Sequence, residues 1–456
     1  MKLACGPSAS YEGLKNVTSL SFNCHSNCTS QENLCHSKNP ILDLPSSDVP
    51  SVGIEPGTPG HHKGVKSTDQ PRQDRRLQKN FTQVRNSMDP LAQVSSDAFL
   101  NRKVLHHPHS HEDKARQFSV VSYNILADCH VSPQTYPCCP EEHLPMSARH
   151  QQLEKELHYL NGDIVCLQEV GTTYYQEYLV PMMQKQGYDG FRFKEKMLGC
   201  PEGIAMFFRT SRLSVVDFTS FDFNSKFKEL ITKYVGESER DSVYKYLEKT
   251  TVMMMCRLRC KETGRVVSVG TFHVIWWMGL MPSAPQHVEV DVQSLQISVA
   301  MSELVKFAGG VDKPHILCGD FNSSPFSPAY GILARGYLGG GGYEMFRALR
   351  PFKVSDNESK CLIELLPSSL YSHPSKSLKS AYAEVKGKEP DFTDYTDSFV
   401  ECLDYIWYSS DSLRVTEVLD MVPESAITPL TACPNRVFPS DHLSLKAVFH
   451  LTDQQN

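Results

Sequence analysis

The stretch PHILCGDFNSSP, Pro314 to Pro325, raises the question on which the fold turns. An apolar run from His315 to Cys318 ends in Gly-Asp-Phe-Asn and then in a Ser/Pro turn. On an extended segment, residues two apart share a face. Asp320 and Asn322 are therefore expected to point together, with Phe321 turned into the core. Gly319 permits a tight backbone or a close approach, and Pro325 and Pro328 stop the strand. A carboxylate and an amide side by side at a strand end suit a hard cation, a water or a phosphate ester. Taken alone they also suit an Asx turn that closes a strand.

Working outward, the 456 residues allow one large domain or two ordinary ones. Charged and apolar fractions are those of a soluble globular chain. The formal net charge of −6 carries no nucleic-acid signal in the sum, although a local basic patch would not show there. No apolar run reaches the roughly 18 residues of a membrane span, and Met1–Gly6 is not followed by the apolar stretch of a secretory signal. The 15 cysteines are scattered. Cys166, Cys256 and Cys318 lie in apolar runs, as small hydrophobes do. Cys24, Cys28 and Cys35 lack a second regular pair and make a weak zinc signal. An odd total in a large chain points to a reducing compartment, with cytoplasm the expected location.

Residues 1–115 read as disordered or weakly ordered, rich in Ser, Asn, Pro, Gly, His and charge. Within them RQDRRLQKNF is a basic cluster and HHPHSH a histidine tract, read as solvated linker. Order is expected over 116–452. Strand-like runs are FSVVSYNIL, DIVCLQEV, GIAMFFR, TTVMMMCRLRC, RVVSVGTFHVIW, HILCGDF, CLDYIWYS and LSLKAVFHL. Helix-like stretches are SARHQQLEKELHYL, TYYQEYLVPMMQKQG and DVQSLQISVAMSELVKFA, with Pro181 starting a turn or kinking the second. Gly264 is placed in a hairpin turn, and GGGG at 339–342 in a flexible loop. Strands joined partly by hairpins and partly by helices predict a layered α/β protein with mixed sheets.

Other strand-like runs also end in polar groups: Asn124, Glu169, Asp404, and the pair Asp441 and His442. Each has an ordinary reading as a cap, an edge or a turn. All of them holding at once on successive strands is not ordinary, because unpartnered buried polar groups cost several kcal/mol each. Almost no Lys or Arg lies in these runs, so a divalent cation reconciles the acids best.

The motifs SYNILAD, CLQEV, CGDFNSSP, CLDYIWYSS and PSDHLSL, in this order, resemble those of the endonuclease/exonuclease/phosphatase superfamily. The finer likeness is to its deadenylase-like branch: carbon-catabolite-repressor-type deadenylases, nocturnin, angel proteins and 2′,5′-phosphodiesterases. The resemblance covers about Phe118 to Leu451. It implies a four-layer α/β sandwich, two mixed β-sheets packed face to face with helices outside, and Mg²⁺-dependent phosphoester cleavage with Mn²⁺ as an alternative. It implies Glu169 as the principal metal ligand, supported by Asn124 and Asp441. Asp320 is implied to activate water, Asn322 to steady the phosphate, His442 to hydrogen-bond it, and Asp404 to orient His442. Phe399 sits where the branch stacks a phenylalanine on adenine, and KSAYAEVKGKEPDFTDYTDSF resembles a segment lining the substrate side. One departure stands out. His273 is kept, but Thr271 and Phe272 replace the branch's Asn and Thr, which bears on phosphate contacts.

The first expectation is a 3′-to-5′ exoribonuclease acting on RNA ends such as poly(A). A second keeps the chemistry but takes 2′,5′-oligoadenylate, NADP(H) or 2′,3′-cyclic phosphate ends. A third is a non-catalytic RNA-binding protein of the same fold. The expected partner is RNA or an adenine-containing nucleotide, without membrane. No leucine-rich repeats precede the domain, so a stable place in the large deadenylase complex is not expected.

Overall fold

Along His315–Asp320, Ile316 and Cys318 face one apolar cluster while Leu317 and Phe321 face another. A strand buried on both sides must be interior to a layered structure, and the rest of the chain builds those layers. The structure is a computed structural model. It describes residues 97–108, 116–196, 201–276, 289–349 and 351–452, all within the compact unit Asn80–Asn456.

Among the described residues, thirteen strands form two large sheets. The first contains β1 (Val104–His106), β2 (Gln117–Asn124), β3 (Ile164–Gly171), β4 (Gly190–Glu195), β5 (Glu202–Phe208), β12 (Leu413–Leu419) and β13 (Leu445–Leu451). Its order is β1-β12-β13-β2-β3-β5-β4. The second contains β6 (Leu213–Asp222), β7 (Val252–Cys260), β8 (Val266–His273), β9 (His315–Asp320), β10 (Leu378–Ser380) and β11 (Asp404–Ser409), in the order β10-β11-β9-β8-β7-β6. Each sheet has one parallel pair, β2 with β3 and β8 with β9, and is otherwise antiparallel. The sheets face each other across a core that includes Val120, Cys166, Met206, Met254, Cys318, Ile406 and Phe449. Helix Met146–Leu160 packs on the outer face of the first sheet, and helices Phe223–Tyr234 and Val290–Ala308 on that of the second. Burying each large aliphatic or aromatic side chain in these three layers contributes roughly 1.5–3 kcal/mol. The architecture is the four-layer α/β sandwich expected.

All eight expected strands are present. Five others escaped the hydrophobic pattern. β4 and β6 are edge strands, only part-buried, so their apolar alternation is diluted. β12 carries Arg414 and Glu417 among its apolar residues. β1 lies within the region read as weakly ordered and pairs with β12 (Leu105 opposite Val418), so the ordered part begins before residue 116. Behind it Arg102, 8% exposed, donates to Ser444 Oγ at 2.8 Å and to the Ser444 and Asp420 carbonyls. The cysteines at 24, 28 and 35 and the basic cluster lie outside the described residues.

GGGG is not a loop. Gly339 caps helix Gly340–Arg347, held by Phe346 in the core. The second expected helix continues through Pro181 by way of a π-turn at Tyr175–Leu179, which relieves the missing N–H.

Gly319 sets the β8–β9 pairing. Its φ is +145°, and a Cβ there would lie 2.1 Å from the Phe272 carbonyl oxygen. Both the backbone conformation and the space exclude a side chain. Gly319→Ala is expected to lower unfolding free energy by at least about 3 kcal/mol, read as a drop in the urea midpoint. An unchanged midpoint would refute this account of the pairing.

Candidate active site

The C-terminal ends of the two parallel pairs meet at one end of the sandwich. Asn124 ends β2, His273 ends β8 and Asp320 ends β9. Antiparallel β11 starts there with Asp404, paired opposite Asp320. The carboxyl ends of strands leave a crevice that loops can furnish. Here it is a cavity of about 310 Å³, lined among others by Glu169, His273, Asp320, Asn322, Asp394, Phe399, Asp441 and His442.

Strand alternation alone would send Glu169 outward with Val165 and Leu167. A bulge between Leu167 and Val170 prevents this. Glu169 takes a left-handed φ of 52° and turns into the cleft, and Val170 returns to the helix side. Leu126 (φ 56°) and Asn322 (φ 45°) are left-handed as well. Such conformations in non-glycine residues cost of order 1–3 kcal/mol each and persist where surroundings hold them.

Asn124 is fully buried. Its Nδ2 donates to Glu169 Oε1 at 2.9 Å and to Asp320 Oδ2 at 3.0 Å. Its Oδ1 accepts from Leu126 N at 3.1 Å, and its amide nitrogen bridges the two carboxylates. Glu169 Oε2 accepts from Ala127 N at 3.2 Å. Asp320 Oδ1 accepts from Asn322 N at 2.9 Å. Asn322 donates to the Val274 carbonyl at 2.9 Å and sits 3.0 Å from His273 Nε2. Phe321 points away, edge-on to Phe272 and Tyr405 in the helix-side core. Asp320 and Asn322 thus share the face that their spacing predicts.

His442 Nδ1 is 2.8 Å from Asp404 Oδ2, and its Nε2 is 3.5 Å from Asp320 Oδ2 and 3.3 Å from Asp394 Oδ2. Burial disfavours the imidazolium, but Asp404, Asp320 and Asp394 outweigh it and hold the pKa well above the ordinary value. Burial pushes Asp320 up to about 7, opposed by His442 and reinforced by Asp404. Burial, with Lys196, His130 and His442 nearby, pushes His273 well below its ordinary value. Lys196 Nζ lies 3.2 Å from His273 Nδ1 and pairs with Glu202 at 2.5 Å.

One ligand atom from each of Glu169, His273 and Asp320 lies within 4.8 Å of the others. A donor set of two carboxylates and one imidazole can hold a divalent cation, and buried acids in excess over bases favour one. Asp441 does not join this group. It stands with Asp394 and His442 and accepts from Tyr136 Oη at 2.5 Å.

Phe399 is 40% exposed at the cavity and Trp276 is 55% exposed there. Thr271 and Phe272 are not in the lining. Thr271 Oγ1 accepts from Gln168 Nε2 at 3.1 Å between the sheets, and Phe272 packs into the helix-side core. The departure at these two positions is a packing difference outside the cavity lining. Sequence reading did not single out Asp394, Tyr136, Lys196, Glu202 or Arg149. Asp394 lies in the segment DFTDYT, whose resemblance pointed to the substrate side. Arg149 carried no signal at all, since it sits on an amphipathic helix like any solvated arginine.

A model of the endonuclease/exonuclease/phosphatase family matches residues 121–442, nearly the whole sandwich. The chain belongs to that family. Carbon catabolite repressor protein 4 homolog 1 of Arabidopsis thaliana is 30% identical over 347 residues, 73% of this chain and 57% of its own length. The CCR4-Not complex 3′-5′-exoribonuclease subunit Ccr4 of Candida albicans is 30% identical over 365 residues, 74% of this chain and 42% of its own. The chain thus spans about half the length of these curated relatives. Among solved family structures, ANGEL2, a 2′,3′-cyclic phosphatase, superposes with a TM-score of 0.59 at 24% identity, covering 77% of this chain and 99% of that one. The human nocturnin catalytic domain gives 0.50 at 23% identity, covering 78% and 98%. Both share the fold. No helix among the described residues is long and apolar enough to cross a membrane.

The buried charges fix a pH dependence for the metal-free protein. A carboxyl with a raised folded pKa favours the fold below its unfolded value, about 4, and loses that advantage up to its folded value, here about 7. A histidine with a raised folded pKa stabilises the fold below about 6.5 and loses this as pH rises through the folded value. Both act in one direction. In chelator, wild-type unfolding free energy is expected to fall by on the order of 2–4 kcal/mol between about pH 4.5 and 8. Asp320→Asn should show a clearly shallower fall in urea titrations. Parallel profiles for the two proteins would contradict the assignment.

Proposed function

We propose that this family member is a Mg²⁺-dependent hydrolase of phosphoester bonds, acting as a 3′-to-5′ exoribonuclease on RNA 3′ ends such as poly(A). The observation that carries the reading is the convergence of Glu169, Asp320, Asn322 and His442 on one cleft. The exoribonuclease relatives supply the reaction class.

Glu169, with Asp320 beside it, would hold the divalent cation, Mg²⁺ or in its place Mn²⁺. Bound there, the cation neutralises charge on the phosphate and the leaving oxygen. Asn124 keeps the two carboxylates together, and Asp441 supports the far side of the pocket. Asp320 accepts the proton of the attacking water as its oxygen bonds to phosphorus and the bond to the 3′ oxygen breaks. A carboxylate fixed by the Asn124 amide and the Asn322 N–H can take up that proton. His442, oriented by Asp404, presents Nε2–H to a phosphate oxygen as negative charge builds. Asn322 and His273 flank the phosphate on the other side. Phe399 offers a face to the terminal base, where stacking contributes roughly 1–3 kcal/mol.

Labelled poly(A) RNA, 2′,5′-oligoadenylate, NADP(H) and RNA ending in 2′,3′-cyclic phosphate, incubated side by side with Mg²⁺, test the reading. Stepwise shortening of poly(A) from its 3′ end is expected. Turnover should be abolished by chelator and reduced at least about 10³-fold in Asp320→Asn, with circular dichroism unchanged. A folded protein that leaves poly(A) intact while consuming another of these substrates would overturn the substrate; one that consumes none would overturn the enzyme.

A further inference from the structure

We infer that Gln293, on helix Val290–Ala308, is a positioning residue for the reaction. Its side-chain amide ties the turn after β8 to the turn after β9 and so holds His273 and Asn322 in place beside the phosphate. The inference deepens the hydrolase reading given above and rests on it.

β8 ends at His273 and runs on through Val274 and Ile275, and β9 ends at Asp320 and runs on to Asn322. Val274 N donates to the Asp320 carbonyl at 2.9 Å, which extends the parallel pairing by one step. Past that step neither chain is in a strand. Gln293 Nε2 joins them there. It donates to the Ile275 carbonyl at 3.1 Å and to the Asn322 carbonyl at 3.0 Å. An amide nitrogen carries two hydrogens, so each carbonyl takes one. Asn322 has a left-handed φ of 45°, a conformation that its surroundings must hold. Asp320 Oδ1 holds its N–H, and Gln293 holds its carbonyl.

The anchor is itself fixed. Gln296, fully buried and on the neighbouring turn of the same helix, accepts from Ile275 N at 3.1 Å and donates to Thr251 Oγ1 at 2.6 Å. Ile275 is thus held at both its N–H and its carbonyl by two glutamines three residues apart, a spacing that puts them on one helix face. Helix packing depends on other positions. Val292 and Leu295 enter the core, whereas Gln293 is only half-buried. The amide is therefore separable from the stability of the helix.

On the cleft side, Asn322 Nδ2 donates to the Val274 carbonyl at 2.9 Å and lies 3.0 Å from His273 Nε2. That contact repeats the link that Gln293 makes behind it. Without the Gln293 link the two turns can slide, and Asn322 and His273 lose their alignment with Asp320. A misplacement of about 1 Å in a reacting geometry costs on the order of 10²-fold in rate.

Steady-state cleavage of labelled poly(A) with Mg²⁺ by the full chain tests this. Gln293→Met, close in shape but without a donor, is expected to lower kcat roughly 10- to 100-fold. KM should change by less than about twofold, since the alignment is used in the transition state, and circular dichroism should be unchanged. Gln293→Lys, whose ammonium can donate to both carbonyls, should return kcat to within about threefold of wild type. Gln293→Glu, which sets carboxylate oxygens against two carbonyls, should be the slowest. A folded Gln293→Met with wild-type kcat overturns the inference. So does an equal loss in the Met and Lys variants, which would mark the position as packing alone. If Gln293→Met does not fold, the Lys and Glu variants decide, and equal turnover in the two refutes it. Each of these outcomes leaves the hydrolase reading standing. If wild type consumes another phosphoester in place of poly(A), the same series is run on that substrate. A wild type that consumes none removes the hydrolase reading and this inference with it.

Discussion

The amide of Asn124 joins the two sheets where they matter. Its nitrogen donates to Glu169 of the first sheet and to Asp320 of the second. Two carboxylates from different sheets are thereby kept within reach of one cation despite their mutual repulsion. The bridge works only because Asn124 has no freedom. It is the last residue of a strand buried on both sides, and its oxygen is tied to Leu126 N. The neighbouring left-handed residues are the conformational cost of that convergence.

A second constraint lies behind the cleft. Arg149, 2% exposed, donates to the carbonyls of Ile125, Leu126 and Leu144 and to that of Pro439. It thus fastens the segment after Asn124 to the segment before Asp441 and His442. Ser440 Oγ adds a bond to the Asn124 carbonyl at 2.7 Å. Residues more than 300 positions apart in the chain are fixed relative to each other by one guanidinium and one hydroxyl. A planar fork with five donors can do this where a lysine could not.

The cleft concentrates acid. Glu169, Asp320, Asp394 and Asp441 all line it, and Asp404 stands behind His442. Such a site is costly for the empty protein and favourable once cations neutralise it. Burial raises the Asp320 pKa, whereas for His442 the carboxylates of Asp404, Asp320 and Asp394 outweigh burial and raise it. Two titratable groups with raised pKa values thus face each other, His442 Nε2 3.5 Å from Asp320 Oδ2.

The sequence by itself determined the sandwich and most of its chemistry. Continuous apolar runs made eight of the nine interior strands legible, β12 being the exception, and polar residues at apolar strand ends marked Asn124, Glu169, Asp320, Asn322, Asp404, Asp441 and His442. The edge strands were illegible because a half-solvated strand has no continuous apolar pattern. Local alternation also could not show how Glu169 enters the cleft, since that depends on a bulge set by pairing with β5. Nor could it tell that Thr271 and Phe272 lie outside the cavity lining, that Asp394 joins the acids around the cleft, or that Arg149 is an interior strut. These were decided by tertiary structure alone, because each depends on which distant backbone or side chain lies opposite, and neither spacing nor composition encodes that.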